Sequence, residues 1–117
     1  MKFYKNKETR EAIIVKDEEI VDDSLVLIKA FEVDGAVEKH VPVYEVKDNK
    51  INVKVGEIAH PMSDEHYIMW IALINGEEVT KVDLKPTDEA VATFDYIPGA
   101  EVYAYCNLHG LWKTDIK

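Results

Sequence analysis

The sequence predicts an all-β sandwich, and three observations predict it. Its apolar runs are short and rich in Val, Ile and Tyr, turn residues separate them at short intervals, and no helical period persists beyond about two turns. In chain order, the segment 8–23 is the most charged and marks the join between an N-terminal extension and the core. Strands are expected over 12–15, 25–31, 41–46, 51–55, 67–74, 79–84, 90–96 and 101–106. Asp48-Asn49-Lys50, Asn75-Gly76, Lys85-Pro86-Thr87-Asp88 and Pro98-Gly99 separate the later runs with turn chemistry. Asn75-Gly76 is the strongest hairpin signal, because a type I′ turn needs positive φ at both central residues. Ile51, Val53 and Val55 alternate with Asn52 and Lys54, the pattern of a strand with one wet face. The run 67–74 is apolar on both faces, so it is expected to be central or to lie under a subunit contact. No internal repeat or low-complexity tract is visible.

A chain of 117 residues fits one domain and can bury a core without disulfides. With 23 Asp+Glu against 14 Lys+Arg the net charge is −9, which leaves no basic surplus to neutralise phosphates and argues against nucleic acid as a partner. The start, MKFYKNKETRE, has no apolar signal core, and the run 67–74 is far short of the roughly 20 residues that cross a bilayer. The expectation is a cytoplasmic chain with no membrane partner, in which a free thiol stays reduced.

Cys106 is the single cysteine, so an intramolecular disulfide is excluded, and it stands three residues before His109 in the stretch CNLHGLW. The thiol is then a buried group, a nucleophile or a metal ligand. The other histidines are His40, His60 and His66, and all four fall at strand edges or in expected loops. His60 and His66 bracket Pro-Met-Ser-Asp-Glu, a loop able to turn both imidazoles toward one point. Loops at one end of a sandwich cluster in space, so these five distant residues can converge. An isolated loop histidine is more often a solvated surface residue, and spacing alone leaves both readings open. Structural zinc takes four ligands, one fewer than this set offers. Blue copper takes two His, one Cys and a weak axial Met, but no Met follows His109. Mostly imidazole ligation with one thiolate suits iron that keeps a coordination position open.

The stretches EKHVPVYEV, VKVGEIAHPMSDEHYIMWI and CNLHGLWK closely resemble the iron domain of the superoxide reductases, the desulfoferrodoxin and neelaredoxin family. The resemblance covers roughly residues 37–113, with three motifs in the same order. It implies a seven-stranded immunoglobulin-like sandwich over 36–117. It also implies one iron per chain, with His40, His60, His66 and His109 in a plane and Cys106 on the axis. The reaction it implies is one-electron reduction of superoxide to hydrogen peroxide, with uptake of two protons and no release of oxygen. Lys39 matches a family lysine that attracts the superoxide anion, and Glu38 a glutamate that ligates the oxidised iron after peroxide leaves. A unit charge at ~5 Å and an effective dielectric of ~20 is worth roughly 3 kcal/mol, enough to offset repulsion by an acidic protein. Pro42 and Pro61 are expected to stiffen the ligand loops. Asn107, Gly110 and Trp112 are expected to shape the turn around the thiolate.

MKFYKNKETREAIIV resembles the opening of the small desulforedoxin-type domain that precedes the iron domain in some members. The places of its first cysteine pair read as Asn6 and Thr9, and no cysteine precedes Cys106, so a second iron has no ligands. Residues 1–35 are therefore expected to be a metal-free remnant or a β extension that builds a homodimer or tetramer. Electrons are expected from an outside donor, which the resemblance suggests is a rubredoxin. Two rival readings stay in view: a blue-copper electron carrier and a metal-free immunoglobulin-like binding module.

Overall fold

The computed structural model describes residues 1–16 and 19–117; Asp17 and Glu18, in the charged segment 8–23, lie outside the described residues. Seven strands form the sandwich: β4 (Pro42–Lys47), β5 (Lys50–Val55), β6 (Ile68–Asn75), β7 (Glu78–Asp83), β8 (Val91–Asp95), β9 (Glu101–Cys106) and β10 (Gly110–Asp115). They pair antiparallel in two sheets, β10-β9-β6-β7 and β4-β5-β8. The seven-stranded sandwich expected from the sequence is present.

The alternation read in the sequence decides which side chains meet between the sheets. Ile51, Val53 and Val55 of β5, with Ala92 and Phe94 of β8, pack against Ile71 and Leu73 of β6 and Val102, Ala104 and Cys106 of β9. In β9 the odd residues Tyr103 and Tyr105 face the other way, so Cys106 follows Val102 and Ala104 into the interior. The β6–β9 register slips at this point: Ile68 pairs with Cys106 and Trp70 with Tyr105, which leaves Met69 as an extra residue. This bulge turns Ile68 onto the same face as Ile71 and Leu73.

The first residues form a third sheet, ordered β2-β1-β3, from β1 (Lys2–Asn6), β2 (Ala12–Val15) and β3 (Leu25–Ile28). It covers the outer face of the larger sandwich sheet, where Phe3 and Ala12 join Trp70, Ala72, Ile74, Tyr105 and Leu111 in a second core. The Phe3 ring lies 6.3 Å from that of Trp70 and 4.6 Å from that of Tyr103. Two buried polar groups fasten the layers: Trp70 Nε1–H donates to the Ala12 carbonyl at 3.3 Å and Tyr105 O–H to the Arg10 carbonyl at 2.6 Å. β6 is thus central, between β9 and β7, and the chain's own N-terminal sheet covers its second apolar face.

Four elements differ from the sequence expectation. β1 lies in a stretch where lysines flank the aromatic pair Phe3-Tyr4, which masked the strand, and β10 starts at Gly110, whose φ of 77° closes the turn from β9. A one-turn helix, α1 (Val37–His40), precedes β4, and β3 stops at Ile28, short of the expected 31. In the first turn the Asn6 side-chain oxygen accepts the N–H groups of Glu8 and Thr9 at 2.9 and 3.0 Å, closing that turn with an amide.

Candidate metal centre

Four elements deliver the expected donors to one end of the sandwich. Cys106 is the last residue of β9 and fully buried; His109 sits in the turn to β10. His60 and His66 lie in the loop between β5 and β6, which is pinched by reciprocal backbone hydrogen bonds between Ser63 and His66 at 3.0 and 3.2 Å. His40 ends α1. One donor atom from each of His40, His60, His66 and Cys106 lies within 4.8 Å of the others. His109 stands at their rim, its ring centroid 4.7 Å from that of His40 and 5.0 Å from that of His66.

Backbone carbonyls orient three of the imidazoles. His40 Nδ1 donates to the Ala36 carbonyl at 2.8 Å, His60 Nδ1 to the Pro61 carbonyl at 2.6 Å and His109 Nδ1 to the Asp34 carbonyl at 3.0 Å. A carbonyl only accepts, so each Nδ1 carries the proton and each neutral ring keeps a lone pair on Nε2. Burial favours the neutral form: it pulls the pKa of His40 and His66 down and that of His60 to about 4. Burial pushes the Cys106 thiol up, opposed by the Leu108 and His109 N–H groups aimed at the sulfur.

Lys39 and Glu38 sit on α1 beside this cluster, Glu38 exposed and Lys39 half-buried. The Lys39 charge adds to the lowering of the His40 and His66 pKa values, so its ammonium acts on the same space as the donors. The backbone beneath the pair is fixed by β5's exit: Ile58 N–H donates to the Glu38 carbonyl at 2.8 Å. A Cβ at Gly56 would come within 2.6 Å of the Glu38 carbonyl oxygen and 2.7 Å of the Lys39 carbonyl carbon, so no larger residue fits there.

The desulfoferrodoxin profile matches residues 32–115. The chain belongs to the desulfoferrodoxin family. It is 47% identical over 83 residues to the desulfoferrodoxin of Clostridium acetobutylicum, a match that covers 71% of this chain and 66% of that relative, just under two thirds of its length. It is 37% identical over 100 residues to the superoxide reductase of Pyrococcus abyssi, covering 68% of this chain and 87% of that one. The crystal structure of the superoxide reductase from Treponema pallidum superposes with a TM-score of 0.74 at 31% identity, over 96% of this chain and 98% of that one. The overlay therefore takes in the N-terminal sheet as well as the sandwich.

The cluster of His40, His60, His66 and Cys106 fits a metal ion on three observations. His40 Nε2 and His60 Nε2, both left as acceptors, face each other at 3.0 Å, a repulsive contact that a cation between them would relieve. Among the described residues His66 Nε2 is buried without a hydrogen-bond partner, and Cys106 Sγ lies 3.5 Å from His60 Nε2. The family uses iron. The sequence motifs named the donors but not the groups that aim them, because the Asp34, Ala36 and Pro61 carbonyls have no side-chain signature. A glycine inside VKVGEIAH was the one trace of Gly56's contact.

Proposed function

We propose that this chain is a superoxide reductase whose iron is held by His40, His60, His66, His109 and Cys106. The observation that carries the reading is the orphaned Nε2 of His66 beside two opposed acceptor nitrogens and a buried thiol. When bound, the iron supplies the electron that turns superoxide, with two protons from water, into hydrogen peroxide. Burial keeps the imidazoles of His40, His60 and His66 neutral at pH 7, so they bind without first losing a proton, whereas the buried thiol gives up its proton on binding. As thiolate, Cys106 donates electron density and lowers the potential at which the site holds its electron. Lys39 would draw the superoxide anion toward the donors, and Glu38 beside it would be the carboxylate available to ligate the oxidised iron.

The electron comes from a separate donor protein of the rubredoxin type. A free thiol as ligand suits a reducing compartment, which supports a cytoplasmic site of action. Ile13, Val26 and Leu27, exposed on the two edge strands of the N-terminal sheet, support self-association into a homodimer or tetramer. Residues 1–35 act as a metal-free extension to the iron-binding sandwich.

The reading is tested on protein purified from iron-supplemented cells, where about one iron per chain is expected; copper or no metal would overturn it. Lys39→Ala should slow capture of superoxide by the reduced protein about tenfold, a loss of ~1.4 kcal/mol. The loss should shrink as salt rises, because screening weakens the term that the variant lacks. Glu38→Ala should capture superoxide at the parent rate and change only the spectrum of the oxidised protein. Equal capture by Lys39→Ala and parent at low salt would remove Lys39 from the mechanism.

A further inference from the structure

Residues 31–36 form a strap across the donor cluster, and Trp112 is its counterpart on β10. The strap supplies the carbonyls of Asp34 and Ala36, which orient His109 and His40. Phe31, at a φ of 66° unusual for a bulky residue, is held by its N–H on the Leu111 carbonyl at 2.9 Å and sets its ring edge-on to Trp112 at 5.6 Å. Val33 packs against Gly110, whose Cβ position lies 2.9 Å from the Val33 side chain.

Trp112 itself is buried and touches two donors by different means. Its ring stacks on His40, with centroids 5.1 Å apart and planes 24° from parallel. Its Nε1–H donates to the carbonyl of His109 at 2.8 Å. Gly35 lies over both partners, since a Cβ there would stand 3.2 Å from His40 Cε1 and Nδ1 and 3.2 Å from Trp112 Cζ2. His40 and His109 lie about seventy residues apart in the chain, and Trp112 reaches both, one through its ring and the other through its N–H.

We propose that Trp112 is a positioning residue that holds His40 and His109 in one arrangement, ready to bind metal together. The inference rests on the iron reading above. The stacked face restricts His40 to one ring plane, while the indole N–H fixes the peptide that carries His109. Groups that orient ligands in this way typically contribute about 10–100-fold to metal affinity. Trp112→Phe keeps a ring for His40 and loses the donor to His109, so it separates the two contributions.

Metal-free protein is titrated with Fe(II) in the absence of oxygen, and affinity is read beside thermal stability for parent, Trp112→Phe, Trp112→Leu and Phe3→Leu. The last is an equally buried change in the outer core, away from the donors. Expected are an affinity about fivefold weaker for Trp112→Phe, the effect of one hydrogen bond, and about 10–100-fold weaker for Trp112→Leu. Phe3→Leu should lose stability at unchanged affinity. In a Trp70→Phe background, where Trp112 is the only tryptophan, its emission should fall as iron fills the site. If the parent binds no iron, the iron reading itself fails. If the parent binds and both Trp112 variants bind within about twofold of it, or the Trp112 emission does not respond to bound iron, the positioning role is overturned. Should Trp112→Leu not fold, Trp112→Phe and the emission titration decide.

Discussion

Cys106→Ser should lose the visible absorption of the oxidised iron-loaded protein and reduce superoxide more than about a hundredfold more slowly than the parent. The position is fully buried at the end of β9, among Ile68, Ala104 and the histidines, so a serine fits the space and the fold should survive. What changes is the donor. A thiolate is soft and strongly donating, and its bond to oxidised iron absorbs visible light; a hydroxyl at the same place is a poor ligand and stays protonated. Changes to groups that only orient ligands cost about 10–100-fold, and removal of a ligand that donates directly should exceed that. Absorption spectra before and after oxidation, with stopped mixing against superoxide, check both halves. An unchanged visible band would mean that Cys106 does not bind the metal.

Phe3→Ala should cost about 3–5 kcal/mol of stability, a fall in Tm of roughly 10–20 °C, and leave the rate with superoxide unchanged. Phe3 is 5% exposed and wedged between Trp70 and Tyr103 in the outer core beneath the N-terminal sheet, outside the donor cluster. Its removal opens a cavity in the core that joins the N-terminal sheet to β6 and β9. Thermal unfolding of metal-free and iron-loaded protein gives the loss, and it should be of similar size in both. A loss below about 1 kcal/mol would mean that the N-terminal sheet does not protect the outer face of the sandwich.

The sandwich was legible where two signals agreed. In β5 the alternation of Ile51, Val53 and Val55 gave both the strand and its inward face, and Asn75-Gly76 located the β6–β7 hairpin. β1 was not legible because its aromatic pair lies in a lysine-rich frame whose meaning depends on Trp70, about seventy residues later. The donors could be named because three short motifs resemble those of the superoxide reductases in the same order; spacing alone left solvated loop histidines as an equal reading. The strap could not: Phe31, Asp34, Gly35 and Ala36 act through a ring edge, carbonyls and the lack of a Cβ, and none of these has a sequence signal. Trp112 was read as shaping the turn around the thiolate; its Nε1–H does hold the His109 carbonyl in that turn, and the stacking of its ring on His40 is what the sequence did not show.

The central claim is that the chain reduces superoxide rather than dismutating it, with an electron brought from outside. The most direct measurement mixes reduced, iron-loaded protein with a limiting amount of superoxide and counts hydrogen peroxide and oxygen together. Reduction yields as many peroxide molecules as superoxide consumed, and no oxygen. Half as many peroxide molecules, with oxygen making up the balance, would identify a dismutase and contradict the account.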